Sequence, residues 1–314
     1  MKLLHVFCFL LSSDIGFAAS PPVTLGSHEA TTRIAISPDG TLAASTGDKT
    51  IKLWSIAAAK EVRALPIEQA GISLVFAPDN HAIAVRLEGG VEVFEVKSGK
   101  RLQRFESQTD GVPRIAISPN GKWLASGGSD NKARVWELAT GKLAYELPHE
   151  FHLVFGVHFS SDSTRLISGA GDGVATHGEV KSWEMSNGRN VWRYEGKQIW
   201  MVATLPDSSA AVSIDVGGAV VFHDWETGAS TRSLQAGDQS RALAVSADGT
   251  MLAASARNSI KLWQIASGEL VTTLDGHSNW VISLALMPDG SALVSGSSDH
   301  TVRLWPLPSE PKAK

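Results

Sequence analysis

Apolar and polar residues alternate along most of this chain in short runs. Examples are IKLW at Ile51–Trp54, VEVF at Val91–Phe94, ARVW at Ala133–Trp136 and VISLAL at Val281–Leu286. A period of two puts every second side chain on one face, the pattern of a strand with a covered side. The runs are four to eight residues long and are split by PDG, SGG and TG turns. This predicts an all-β chain of short antiparallel strands joined by tight turns.

The runs also repeat as sentences. SPDGTLAASTGDKTIKLW at Ser37–Trp54 returns at Ser118–Trp136, Ser246–Trp263 and Met287–Trp305, and fainter copies end at Phe94, Trp183 and Phe222. The anchors Trp54, Phe94, Trp136, Trp183, Phe222, Trp263 and Trp305 are 40, 42, 47, 39, 41 and 42 residues apart. Seven anchors imply seven units, and a period near 40 with an aromatic anchor indicates a radial β array. One four-stranded sheet cannot bury both faces alone, whereas a ring of them can.

The units resemble the WD-repeat β-propeller family, whose repeat runs from a Gly-His pair through an SPDG turn to a Trp-Asp pair. The resemblance covers Val23 to Leu307, with Gly26-Ser27-His28 and Asp275-Gly276-His277 as openings. No Trp is followed by Asp: the pairs are Trp54-Ser55, Trp136-Glu137, Trp183-Glu184 and Trp263-Gln264. The resemblance implies one seven-bladed β-propeller of four-stranded antiparallel blades, spanning 20–308 and followed by a disordered tail over 309–314. Pro306 and Pro308 stop the last strand, so unit seven lacks an outer strand. Val23-Thr24-Leu25 matches Thr272-Thr273-Leu274 and is expected to complete that blade, closing the ring. The regularity of the SPDG-type turns resembles bacterial exported members of the family.

The first residues follow other rules. Lys2, the apolar stretch Leu3–Leu11 and the small-x-small run Gly16-Phe17-Ala18 have the layout of a signal peptide over 1–19, cleaved near Ala18 or Ala19. The stretch reaches only about 13 Å as a helix, too short to span a bilayer. A secreted or periplasmic protein is expected. The one cysteine, Cys8, lies in this leader, which leaves the mature chain without disulfides or cysteine metal ligands. A net charge of −4 gives no basic field for nucleic acid, and no propeller run is long enough for a membrane span. The chain is expected to act as a monomer.

The resemblance further implies a buried polar tie in each blade, linking His, Ser or Thr, Asp and the anchor Trp. Unit one offers His28, Ser45, Asp48 and Trp54, and unit seven His277, Ser295, Asp299 and Trp305. A Ser/His/Asp set invites a hydrolase reading, but no strained nucleophile turn or oxyanion donor accompanies it, and the expected roles are structural. The set is broken by Glu88 in unit two, Gln108 beside Asp130 in unit three, Val216 in unit five and Arg257 in unit six. Full ties are therefore expected at the two units flanking the closure. His149, His152, His158 and His177 fit no zinc spacing and are expected to be satisfied or solvated. The glycine-rich Gly169–Gly178 stretch carries five inserted residues but no Lys-Ser/Thr pair or following helix, so it reads as a longer loop and not a phosphate cradle. Lys52, Glu92, Arg134, Lys181, Lys261 and Arg303, each two residues before an anchor, are expected to pack their stems between blades and carry their heads to water. No cofactor or metal is expected.

Three functions remain. The favoured one is a non-enzymatic scaffold binding a protein or peptide on one rim. The others are an exported hydrolase or lyase using the His149/His152/His177 group, and a glycan or cell-surface ligand binder using Trp200 and Trp280. Because the His and Asp of a tie must meet, the loops carrying them share a rim. The positions after each Gly-His site then ring the channel: Glu29, Gln69, Asp110, His152, Gln198, Gln239, Asn279 and Trp280, with the insertion from Asp172 to His177 beside them. Trp280 in a polar surround is the expected binding hot spot.

Overall fold

The computed structural model describes residues 21–106 and 114–307. The leader, Gln108, Asp110 and the tail over 309–314 lie outside the described residues. Twenty-eight strands, β1 to β28 in chain order, form seven four-stranded sheets, and among the described residues there is no helix. Blade one runs from β2 (Arg33–Ile36) through β3 (Leu42–Thr46) and β4 (Thr50–Ser55) to β5 (Lys60–Pro66), and blades two to six repeat that order. Blade seven is composite. Its β26 (Val281–Leu286), β27 (Ala292–Ser297) and β28 (Thr301–Pro306) take β1 (Val23–Ser27) as fourth strand. Val23 stands opposite Leu304 and Ser27 opposite Thr301, with Leu25 as an extra residue between paired positions. The N-terminal strand closes the ring.

Each sheet is covered on both faces by its neighbours, which explains why the middle strands are apolar almost throughout. Seven apolar clusters each fill one interface between adjacent blades. Between blades one and two, Ile51, Leu53 and Leu65 meet Leu74, Phe76 and Ile83. At the closure, Leu25, Val302 and Leu304 meet Ile34, Ala43 and Trp54. The Ser283 hydroxyl adds a polar stitch there, donating to Ile34 O and accepting from Ile34 N, both at 3.2 Å. Outer strands such as β5 bury one residue in seven, Leu65, as expected of a strand facing water.

Two kinds of irregularity matter for function. The first lies in the outer pairs of blades one to six, where the register shifts just before the anchor: Leu53/Trp54, Val93/Phe94, Val135/Trp136, Ser182/Trp183 and Leu262/Trp263. In blade five it falls between Phe222 and His223. The anchor of blade five is therefore His223, not Phe222. Each of these anchors also stands five residues before the left-handed residue of the next turn, namely Ala59, Gly99, Gly141, Gly188, Gly228 and Gly268, with φ from 48° to 76°. Counting back from Gly228 reaches His223.

The second irregularity is on the channel side. The innermost strands of blades four, five and seven each carry one extra residue, respectively Phe155, Trp200 and Ile282. Such bulges bend a strand and re-aim a side chain or carbonyl. All three occur at the end of the strand where the chain enters from the rim bearing the Gly-His sites.

Candidate functional site

In blade one, His28 Nδ1 lies 2.9 Å from Asp48 Oδ2 and Nε2 lies 2.8 Å from Ser45 Oγ, while Trp54 Nε1 donates to the same Oγ at 2.7 Å. In blade seven His277 makes the same contacts to Asp299 and Ser295, all at 2.7 Å together with the Trp305 donor. One tautomer satisfies every atom: Nδ1–H donates to the carboxylate, Nε2 accepts from the hydroxyl, and the hydroxyl oxygen accepts from the indole.

Blade four holds a third complete tie, so the expectation that full ties flank only the closure is corrected. His149 lies 2.9 Å from Glu179 Oε1 and 2.8 Å from Ser168 Oγ, and Trp183 donates to Ser168 at 2.7 Å. The acid has moved. Glu179 stands four residues before its Trp, where blades one and seven have Thr50 and Thr301. The insertion carries Asp172 away into its own loop, and the longer Glu side chain reaches the histidine from the strand. His149 is thereby committed to this tie and does not join His152 and His177.

These sets have the connectivity of a hydrolytic triad but not its access. Ser45, Ser168 and Ser295 are 0% exposed, and each hydroxyl is occupied on both sides. Burial holds His28, His149 and His277 below the ordinary imidazole range despite their carboxylate partners. For Asp299, burial alone would raise the carboxyl, but hydrogen bonds from Thr301 and His277 outweigh it and hold it at about 2. A nucleophile sealed beneath its own indole cannot meet a substrate.

Blade five solves the same problem differently. His223 takes the place of the indole, its Nε2 lying 2.8 Å from Ser213 Oγ, and it packs against Trp192 and Tyr194 with centroids at 6.0 and 4.5 Å. Burial lowers its pKa to about 4. The folded state thus binds this proton less readily than the unfolded chain, so stability should fall as pH drops from about 6.5 towards 4. His223→Phe should flatten that part of the profile, as urea midpoints between pH 7 and 4 would show; an unchanged slope would count against this burial. In blade three Asp130 serves Arg134, at 2.5 and 3.1 Å, and in blade six Ser255 Oγ accepts from Arg241 N and Ala242 N. Two of the inter-blade column heads also depart from expectation: Glu92 and Lys181 are buried in ion pairs, with Arg101 and Arg104 around Glu92 and Glu179 beside Lys181.

The rim positions divide. Glu29, Gln69, His152 and Asn279 are exposed, and Gln239 is half-buried. Gln198 is buried beneath the insertion, its Oε1 accepting from Ala175 N at 3.3 Å, so it is not a surface contact. Asp172 binds the insertion together, accepting from the Thr176 hydroxyl and from the backbone of Val174, Thr176 and His177. The Thr176 hydroxyl bond leads the effects that hold Asp172 well below the usual carboxylate range. His177 stacks on Phe151 with centroids 6.4 Å apart. Trp280 is half-buried, and the Arg241 guanidinium lies 4.1 Å above its ring and 5.0 Å from Trp200, which in turn meets Phe155 at 4.6 Å. The two tryptophans are thus one assembly spanning blades four to seven.

Below this assembly the channel is crossed. Arg114 of blade three donates from Nη2 to the carbonyls of Ile282 and, at 3.5 Å, Arg241, while Arg33 Nε donates to Ile72 O at 3.1 Å. On the opposite face a groove of about 290 Å³ lies between blades five and six, lined by Asp207, Asp248 and Ile265 among others. Its carboxylates are occupied in capping their own turns, through Ser209 N and Thr250 N.

A family model described as WD domain, G-beta repeat matches residues 19–55, 99–137, 141–176 and 268–306. The chain is 25% identical over 287 residues to a cell division cycle 20.5 protein, cofactor of APC complex, of Arabidopsis thaliana, covering 86% of this chain and 63% of that one. It is 24% identical over 274 residues to the nuclear distribution protein nudF of Aspergillus niger, covering 85% and 46%. To an uncharacterized WD repeat-containing protein of Synechocystis it is 31% identical over 160 residues, covering 48% and 46%. The chain therefore spans less than two thirds of the length of each of these relatives. The similar proteins are mostly eukaryotic, so the likeness to bacterial exported members is not supported by them.

Proposed function

We propose that this chain, whose WD40 repeats fold as a seven-bladed β-propeller, is a non-enzymatic scaffold that takes a protein or peptide partner on the rim bearing the Gly-His sites. The observation that carries this reading is the Trp200–Arg241–Trp280 stack at the channel mouth, a rigid aromatic-arginine anchor in a polar surround. Among the described residues every complete Ser-His-acid set is spent inside a blade, and His149 is drawn away from His152 and His177, which weakens the support for a hydrolase. The relative named as a cofactor of the APC complex favours partner binding as the role of this propeller too. A sugar ring needs a free indole face, whereas Arg241 covers faces of both tryptophans, so a glycan reading is less well supported. The apolar leader Leu3–Leu11 favours action outside the cytoplasm.

The test is co-purification of partners by the immobilised chain, with mass spectrometry of what is held. Trp280→Ala and deletion of Val174–His177 should each weaken capture about tenfold or more, the loss expected of a hot spot. Lys122→Glu, in a loop of the opposite face, should leave it unchanged. Capture that survives both rim variants but fails with Lys122→Glu would place the surface on the other side.

A further inference from the structure

We infer that the top of the central channel is an oxyanion site, and that the group the partner inserts there is a carboxylate or phosphate carried on a peptide. This rests on the rim reading above and specifies its chemistry. Three arginines converge at this level from separate blades. Arg33 and Arg114 occupy the same repeat position, each opening an identical RIAIS run in blades one and three. Arg241 of blade six enters one position earlier, counted from the turn.

Among the described residues no carboxylate answers them. Among the described residues, none of the ion pairs includes Arg33, Arg114 or Arg241. The hydrogen bonds that Arg33 and Arg114 make go to backbone carbonyls, and Arg33 Nη1 is buried with no hydrogen-bond partner. Burial lowers Arg33 furthest, and the charges of Arg114 and Arg241 lower it further; burial alone brings Arg114 to about 10. A guanidinium nevertheless keeps its proton inside a protein. Like charges gathered without a counter-ion are costly to keep, and leaving a buried polar donor unmade adds to that cost. The same arrangement becomes favourable once an oxyanion supplies acceptors, because charge-assisted bonds to guanidinium forks are the strong ones.

The walls suit such a group. Bulges place Phe155, Trp200 and Ile282 at the mouth, and the Trp200 and Trp280 rings hold the Arg241 plane between them. Arg114, reaching across to the carbonyls of blades six and seven, gives the site a floor. On a chain with 32 acidic and 28 basic residues this is a local reversal of sign, which draws an anion to one spot.

The full chain is titrated with inorganic phosphate and with citrate in a chloride-free buffer, following tryptophan emission, since Trp200 and Trp280 report on Arg241. A saturable response to both anions is expected, weakened about tenfold or more in Arg33→Gln and in Arg241→Gln and unchanged in Lys122→Glu. Phosphate should raise the melting temperature of the parent chain but not of Arg33→Gln, which should itself start higher because a repulsion is gone. If Arg33→Gln does not fold, Arg241→Gln decides alone. Hexapeptides with a central Glu, phosphoserine or Gln then separate the sources: binding by the first or second names the group, and equal binding by the Gln peptide overturns the site. Absence of a saturable response, or equal responses in parent and arginine variants, also overturns it. Partner capture lost on deletion of Val174–His177 but intact in both arginine variants would sink the oxyanion site and leave the scaffold standing.

Discussion

Removing Val23–His28 should convert cooperative unfolding into a broad, multi-step transition and drive the protein into aggregates. The deletion strips blade seven of its outer strand, leaving β28 as an unpaired edge from Thr301 to Leu304. It takes Leu25 out of the closure cluster, a loss of about 2 kcal/mol for one buried leucine. It also removes His28, so Asp48 and Ser45 of blade one lose their shared partner, and with Ser27 goes the acceptor of Lys52 Nζ. One short segment thus supports two blades at once. Removing only Pro21 and Pro22, which lie outside β1, should be nearly silent. Urea unfolding followed by circular dichroism and by tryptophan emission should coincide for the parent and diverge for the deletion. Coincident curves with an unchanged midpoint would show that the ring does not depend on this strand.

Glu179→Ala is expected to be the most damaging single substitution in the chain. Glu179 is 0% exposed and is shared by His149 at 2.9 Å, Arg193 at 2.5 Å and Lys181 at 3.5 Å, while its Oε1 also accepts from Glu150 N at 2.8 Å. Truncation leaves the buried Lys181 without its carboxylate and His149 Nδ1 without its acceptor, and breaking a buried ion pair costs about 3–5 kcal/mol. Glu179→Asp should recover little, because the strand position it grows from is the one blades one and seven give to a threonine. Burial alone would raise this carboxyl, yet hydrogen bonds from His149 and Glu150 N and the charges of His149 and Lys181 bring it to about 2. Its folded value lies below its unfolded one, so its stabilisation is complete above about pH 4.5 and is lost as pH falls through about 2. Glu179→Gln should therefore blunt acid unfolding as well as lower the neutral-pH midpoint. A variant matching the parent at both pH 7 and pH 3 would rule out the charge as the centre of this tie.

The ring, its seven units and its closure were legible because each is written locally, in period-two runs, repeated turns and the match of Val23–Leu25 to Thr272–Leu274. The polar details were harder where one signal masked another. Phe222 looked like the fifth anchor because it is aromatic and ends the run AVVF, yet the fixed distance to Gly228 marks His223. The blade-four tie is masked because its acid, Glu179, stands on the strand behind a five-residue insertion, while the turn itself carries Asp172. Arg33 and Arg114 were in plain view as the first letters of two identical RIAIS runs. That they face one another, and face Arg241, follows only from bending the chain into a ring, since Arg114 meets a carbonyl 168 residues away. Local pattern fixes the strands of such a molecule; what gathers at its centre depends on closure.

Closure also sets an order in time. The residue that pairs with Val23 is Leu304, so β1, made before the other strands of the ring, has no place until nearly the last of them has been made. Through most of synthesis β1 must wait unpaired while six blades can already assemble beside one another by short-range contacts. Joining ends so distant in sequence is the slow kind of step, set by loop entropy and not by the strength of the final ladder. The same strand that is recruited last is held by a single hydrogen-bonded ladder, and it is the natural place for the finished ring to begin to come apart.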